Sequence, residues 1–360
     1  MSQDILSGVL RSVRLRGAVY YYVNGTRNWV AEAPASRDIA AAVMPDFEHV
    51  MEYHLLLRGA CWAAVAGEAP ALIETGDIVL FPQGDAHVLS SAPGMRAPAR
   101  VSSYFERNPG QRPFTLHLGA AEGPMDTAPA GPSDTTLVCG FLGCDLRPFN
   151  PLIATLPRFM HLRARPGGDW ISQSMLQAVA DSKDRRPGAE AMLERMSEMM
   201  FIDAVRRYVE TLPEDSRGWL AGLRDRFVGR ALSLMHADPA IAWTVDELGR
   251  RVGLSRSALH ERFAEIIGQS PMQYLANWRM QLGAALLRNT TTPVSRVAEE
   301  VGYDSAAAFA RAFKRLVGKP PAAWRRVGVQ REGIDLLMRS TMSEGTKLTS
   351  SVAGASTSST

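Results

Sequence analysis

Four side chains in the first half of the chain carry the chemistry of soft metal ligands: His54, His87, Cys139 and Cys144. Imidazole and thiolate together suit zinc or copper. The Cys139-x4-Cys144 spacing differs from the two-residue gap of structural zinc sites. The same two thiols would also serve as a redox pair. A third reading makes Cys139 a small buried hydrophobe and both histidines hydrogen-bonded core residues. Cys61, beside Trp62 in an apolar run, reads as core. No nucleophile–base arrangement is visible elsewhere, so the chain reads as a non-enzyme.

A second set lies in the last third and suits nucleic acid. Arg256, Ser257, His260, Glu261 and Arg262 fall within one turn and a half of each other. Ala306, Ala307, Ala310 and Arg311 follow some fifty residues later, with Lys314 and Arg315 beyond them. Arginine can bond two acceptors of guanine, and His260 can meet a base edge or a phosphate. The three alanines allow close approach to thymine methyls. Lys314, Lys319, Arg325 and Arg326 suit phosphates, which position without specifying. Glu261 can accept from cytosine N4, orient Arg256 or Arg262, or merely offset charge within its helix.

These residues sit on a near-repeat. Asp246–Pro271 reads DELGRRVGLSRSALHERFAEIIGQSP, and Ser295–Pro321 reads SRVAEEVGYDSAAAFARAFKRLVGKPP. The offset is 49 residues through Leu248/Val297, Val252/Val301 and Gly253/Gly302. It becomes 50 at Ser255/Ser305, Leu259/Phe309, Phe263/Phe313 and Gly268/Gly318. Each copy predicts a short helix, a glycine turn and a second helix capped by serine. That is the helix-turn-helix layout, whose second helix enters the major groove. Charge agrees with the placement. Residues 217–330 hold 17 Lys and Arg against 9 Asp and Glu, a formal +8 on a remainder of −5.

The elements that must hold the first set differ in kind. Val19–Val23, Tyr53–Leu57, Cys61–Val65, Ala71–Glu74 and Ile78–Phe81 are apolar runs bounded by turn residues. Ala99–Phe105 and Leu137–Leu142 follow. Even spacing of short strands predicts a sandwich or barrel. After Asn150 the period becomes helical, over Ile171–Ala180 and Ala189–Thr211. Met192, Leu193, Met196, Met199, Met200, Ile202, Val205 and Tyr208 form an apolar stripe. It would either pack on its own barrel or join two chains in a dimer. Trp219–Ala237 predicts the first C-terminal helix, and Leu275–Leu287 a long connecting one. An odd count of three cysteines argues against a disulfide framework and for a reducing cytoplasm. No secretory leader is expected, and no apolar run reaches the roughly 18 residues of a membrane span.

Residues 219–327 resemble the C-terminal domain of AraC/XylS-type transcription regulators. LGRRVGLSRSALHERF, SPMQYLANWRMQLGAALL and VAEEVGYDSAAAFARAFKRLVGKPPAAWRR carry the resemblance. It implies two helical units on one rigid helix, reading successive major grooves. It assigns base reading to Ser257, His260 and Glu261, then Ala307, Ala310 and Arg311. An arginine common at the Glu261 position in such proteins is absent. Gly76-Asp-Ile-Val-Leu-Phe-Pro82-Gln-Gly84-Asp-Ala-His87 resembles the second cupin motif, with Tyr53-His54 where the first would lie. That first motif brings two histidines and a glutamate. Here only His54 is in place, with His49 and Glu52 read as out of phase.

The resemblance implies an α+β chain. Residues 1–160 would form a cupin-like β-barrel that senses an effector, and 170–216 a helical linker and dimerisation region. Residues 217–328 would form an all-α domain of two helix-turn-helix units, and 329–360 a disordered tail. The expected function is a cytoplasmic, sequence-specific activator or repressor responding to a small molecule, metal or oxidant. Its partners would be double-stranded promoter DNA, a small-molecule effector, a second copy of the chain and RNA polymerase, and no membrane. The alternative is a cupin-type metal-dependent enzyme fused to a DNA-binding domain.

Overall fold

The structure, a computed structural model, describes residues 4–97, 113–119, 134–165 and 170–326. The expected strand Ala99–Phe105 and the tail 329–360 lie outside the described residues. The strands are β1 (Leu15–Gly25), β2 (Val30–Ala33), β3 (His49–Arg58), β4 (Ala60–Val65) and β5 (Ala71–Glu74). They continue with β6 (Ile78–Phe81), β7 (His87–Ser90), β8 (Phe114–Leu118), β9 (Thr135–Cys144) and β10 (Met160–Leu162). They form two sheets rather than one closed ring: β10-β6-β3-β9-β1-β8 and β2-β7-β4-β5.

The larger sheet is covered on both faces. Along β9, Leu137, Cys139 and Phe141 enter the core between the sheets. Val138, Leu142 and Cys144 enter a second core under the helices. Burial on both faces explains why Leu137–Leu142 reads as a continuous apolar run instead of an alternating one. The outer cover is α3 (Trp170–Lys183) and α4 (Ala189–Thr211). Helix α4 lies very close to β1, because a Cβ on Gly17 would stand 2.5 Å from Ser197 Cβ and 2.7 Å from the Glu194 carbonyl. Leu193, Met196, Met200, Phe201, Ala204 and Val205 pack inward from α4, while Met192 and Met199 are exposed. The apolar stripe of this helix is thus divided, most of it serving its own sheet.

The N-terminal half also holds two helices beyond the expected strands, α1 (Ile5–Ser12) and α2 (Ser36–Val43). The C-terminal unit begins with α5 (Trp219–Arg224) and α6 (Arg226–Ala237). The single helix expected over Trp219–Ala237 is broken at Asp225. That residue has extended backbone and its carboxylate caps α6 by accepting from Phe227 N and Val228 N. The first helix-turn-helix follows as α7 (Val245–Val252) and α8 (Arg256–Ile267). The connecting helix is α9 (Pro271–Asn289), and the second unit is α10 (Val294–Glu300) and α11 (Ala306–Val317), followed by a helical turn over 321–326. Ser255 Oγ accepts from Ala258 N and Ser305 Oγ from Ala308 N, each at 3.2 Å. Gly253 and Gly302 take φ of +85° and +80° in the two turns, a region that disfavours a Cβ. Among the described residues, no helix is long and apolar enough to cross a membrane.

The halves share one apolar core, running from Val138 and Leu142 through Ile5 and Val9 of α1 to Trp219, Leu232 and Trp278. Polar contacts fix its edge. Asp145, directly after β9, accepts from Arg14 Nε at 3.0 Å and from Arg14 Nη2 at 3.1 Å, and pairs with Arg288 of α9. Gln281 of α9 donates to the Ser12 carbonyl at 2.8 Å and accepts from Phe149 N at 3.1 Å. Asp145 is buried and bonds both guanidinium groups, so its removal leaves them without their nearest counter-charge. Asp145→Asn should lower the unfolding free energy by about 3 kcal/mol in urea titrations. A change below about 1 kcal/mol would mark the cluster as no stronger than a surface pair.

Candidate ligand pocket and nucleic-acid interface

In a strand, residues two apart share a face. Glu52 and His54 of β3 therefore point together into the space between the sheets, and the β4–β7 sheet supplies His87 from the other side. Ligand atoms of the three residues lie within 4.8 Å of one another. His54 Nε2 and His87 Nε2 are 2.8 Å apart, and Glu52 Oε2 is 3.8 Å from His87 Nε2. All three residues are at most 4% exposed. His87 stacks on Phe81 with centroids 3.5 Å apart. Its Nδ1 donates to the Asp85 carbonyl at 3.0 Å. A neutral imidazole held that way turns its Nε2 lone pair inward.

Burial sets the charge state. It pushes Glu52 up to about 8 and His87 down to about 4, and holds His54 well below its ordinary value. At pH 7 the cluster is a protonated acid and two neutral imidazoles, with no net charge to neutralise. Glu52 Oε2 and His54 Nδ1 are buried without a hydrogen-bond partner among the described residues. Two imidazoles and one carboxylate converging in this way form a donor set that fits a divalent transition metal. The cavity beside them is about 50 Å³, lined among others by Tyr21, Trp29, Leu89 and Cys139.

The four residues read from the sequence do not assemble. Cys139 lies opposite His54 across the β3–β9 ladder and lines the same cavity. Its sulfur is outside the three-residue cluster. Burial raises its thiol well above the ordinary value, which keeps it protonated at neutral pH. Cys144 is an odd number of residues further along and points to the opposite face, into the other core. Five residues of strand separate the two sulfurs by about 17 Å, too far for a disulfide. The candidate ligand set is corrected accordingly: Cys139 and Cys144 leave it and Glu52 enters. The signal was present in the sequence, because Glu-x-His in a strand places both side chains on one face. His49 has the other parity, and its Nε2 meets the Pro82 carbonyl at 2.6 Å.

The DNA-facing set is laid out differently. On α8, Arg256, Ser257, His260 and Glu261 are exposed, while Leu259 and Phe263 are buried behind them. On α11, Ala307, Arg311, Lys314 and Arg315 are exposed, Ala306 and Ala310 are half-buried, and Phe309, Phe313 and Val317 form the inner face. Among the described residues, Arg256, Arg311 and Lys314 have no ion-pair partner. Arg262 has one. Its Nε is 3.0 Å from Asp225 Oδ2, so its guanidinium braces α8 against the cap of α6. That contact engages its guanidinium within the domain.

Comparison with known proteins agrees with both halves. Residues 4–210 match the cupin family, and residues 248–327 match the helix-turn-helix domain. A Streptomyces lividans protein named as an AraC-like transcription regulator is 32% identical over 287 residues, covering 79% of this chain and 90% of its own. The HTH-type transcriptional regulator AlkR of Acinetobacter baylyi is 26% identical, covering 90% and 99%. The HTH-type transcriptional regulator MtrA of Neisseria gonorrhoeae is 27% identical, covering 77% and 87%. The similarity thus spans both halves of this chain and 87–99% of the length of these named regulators. The chain belongs to the AraC family of DNA-binding transcription regulators, with a cupin domain at its amino-terminal end.

Proposed function

We propose that this regulator senses occupancy of the inter-sheet pocket by a divalent transition metal, zinc or copper, held by Glu52, His54 and His87. The buried, uncharged and partly unbonded donor cluster carries this reading. Cavity size supports it too. About 50 Å³ is far below the several hundred Å³ that drug-sized ligands need. The same limit speaks against a cupin-type enzyme, which must seat a substrate beside its metal. When bound, the metal would supply a fixed positive charge in place of the Glu52 proton. The protein's part is to tie β3 of one sheet to β7 of the other through these three side chains.

Metal uptake must then displace a proton from Glu52, since neither imidazole holds an extra one at neutral pH. Zinc affinity should rise about tenfold per pH unit from pH 6 and level off above about 8. Glu52→Gln should flatten that slope and His87→Ala should abolish tight uptake, both measured by competition with a chromophoric chelator. A pH-independent affinity would exclude Glu52 as a ligand, and no uptake at all would end the metal reading.

On the DNA side, base reading falls to Arg256, Ser257, His260, Glu261, Ala307, Ala310 and Arg311, with phosphate contacts from Lys314 and Arg315. Arg311 is exposed, without an ion-pair partner among the described residues, on the α11 face opposite Phe309 and Phe313. Arg311→Ala should remove about 1–3 kcal/mol of preference for the operator over scrambled duplex. Lys314→Ala should weaken both duplexes alike and reduce the salt slope by about one. Full discrimination by the first variant, or sequence-selective loss by the second, would reverse these roles.

The working state is a cytoplasmic homodimer on promoter DNA, acting beside RNA polymerase. Met192 and Met199, seven residues apart on α4, are exposed on one helix face and would form the contact. Met199→Asp should convert the dimer to monomer in sedimentation experiments. An unchanged mass would move the interface elsewhere.

A further inference from the structure

The buried residues of the two helix-turn-helix units fall into separate cores. Tyr274, Leu275 and Trp278 of α9 belong to the core of the first unit, and Met280, Ala284 and Leu287, further along the same helix, to that of the second. A helix by itself curves and bends, so a fixed angle between two bodies calls for a contact off its axis. The structure supplies one. The loop 238–243, which leads from α6 to α7 in the first unit, runs against the turn of the second. A Cβ on Gly302 would stand 2.6 Å from the Ala240 carbonyl oxygen and 2.7 Å from Ala240 Cα. The equivalent glycine of the first unit, Gly253, has nothing within 4 Å of such a Cβ. Both glycines have positive φ, so it is the space around them that differs between the copies.

Arg279, in the middle of α9, ties the loop down. Its Nε donates to the Pro239 carbonyl at 2.7 Å and its Nη2 to the Ile241 carbonyl at 2.8 Å, on either side of Ala240. The guanidinium carbon lies 5.9 Å from the centroid of the Tyr303 ring, within cation–π reach. Tyr303 in turn meets Phe309 edge to face, with centroids 5.7 Å apart. One path of contacts therefore runs from the first unit's loop, through α9, to the buried face of α11. Tyr303 stands where the first copy has Leu254: Tyr303 N donates to the Ala298 carbonyl as Leu254 N donates to that of Gly249. The residue added in the second turn is therefore Asp304. Burial lowers the pKa of the Arg279 guanidinium, and Tyr303 and Asp304 oppose this. The change of offset in the near-repeat thus falls at the join between the units.

We propose that the 238–243 loop, Arg279 and Tyr303 form a spacer that fixes the angle between α8 and α11, so that this chain selects operators by the spacing of two segments as well as by their bases. The inference rests on the reading that both helices contact bases. Major-groove segments on one face of DNA recur about every 10 base pairs. One added base pair carries the second segment on by about 3.4 Å and around by about 34°. A reader of fixed angle then loses one set of base contacts, whereas a hinged reader follows.

The test uses the full chain. Duplexes selected by it from a random-sequence pool supply the operator. Methylation interference locates the segments, and the one lost in Arg311→Ala belongs to α11. Affinity is measured for this duplex, for versions with one base pair added or removed between the segments, and for versions with either segment scrambled. The native chain should lose about tenfold or more on either change of spacing. Tyr303→Leu installs the first copy's residue, and Arg279→Met keeps the stem and removes the donors. Each should cut that loss to about threefold or less, while scrambling the α11 segment still costs affinity. This last readout separates a loosened spacer from an unfolded second unit. The proposal fails if the native chain accepts all three spacings alike, or if either variant keeps the full spacing penalty. It also fails if either variant stops reading the α11 segment, which would make that residue a support of the second unit alone. Should scrambling one of the segments cost the native chain nothing, the assignment of base reading to both helices falls, and the spacer with it.

Discussion

The two-sided burial of β9 is the constraint on which most of this molecule rests. One strand must satisfy the core between the sheets with its odd-numbered side chains and the core under the helices with its even-numbered ones. It pairs with β1 on one side and β3 on the other, so both of its edges are also committed, with one irregularity in each ladder. Because both neighbours are registered to it, β9 sets the phase of β3 and so decides that Glu52 and His54, not His49, look into the pocket. The same strand delivers Asp145 to the meeting point of the two halves.

Desolvation then does in the pocket what sequence motifs cannot. Three titratable groups share a space closed to water, and the cheapest state is one in which all are neutral. This requires a protonated carboxylic acid at pH 7 and fixes the histidine tautomers through the Asp85 carbonyl. Around His236 of α6 burial also favours the neutral imidazole, which meets Tyr274 of α9, itself accepting from Trp219 of α5.

What could be read from the sequence was what is local. Helix caps at Ser255 and Ser305, positive-φ glycines and the 3.6-residue spacing of Leu259, Phe263, Phe309 and Phe313 are all set within a few residues. The helix-turn-helix units were therefore legible almost to the residue. The cupin-like strands were legible from turns and apolar runs, and their order in two sheets was not. Arg262 looked like a base reader because its partner, Asp225, lies 37 residues away and becomes its neighbour only through folding. The same aspartate split the expected Trp219–Ala237 helix, since a capping residue in a helix interior looks like any other polar position. Glu52 is missed when phase is taken from a motif's spacing rather than from the strand's own period of two. Helix α1 gave little warning: eight residues with a glycine among them acquire a reason to be helical only from the surface they pack on.

Families of this kind invite exchange of their parts, a sensor from one protein joined to the reader of another at the connecting segment. The contacts of α9 set a condition on that exchange here. Arg288 depends on Asp145, and Gln281 depends on the Ser12 carbonyl and the Phe149 amide. A chimaera cut within residues 213–217 would preserve the chain and discard all three partners. Its reader would carry a half-buried cation and a stranded amide on its central helix, unless the incoming sensor brought an acid and a free carbonyl to the same points. In this protein the modular unit is larger than the DNA-binding domain: it includes α1 and the end of β9.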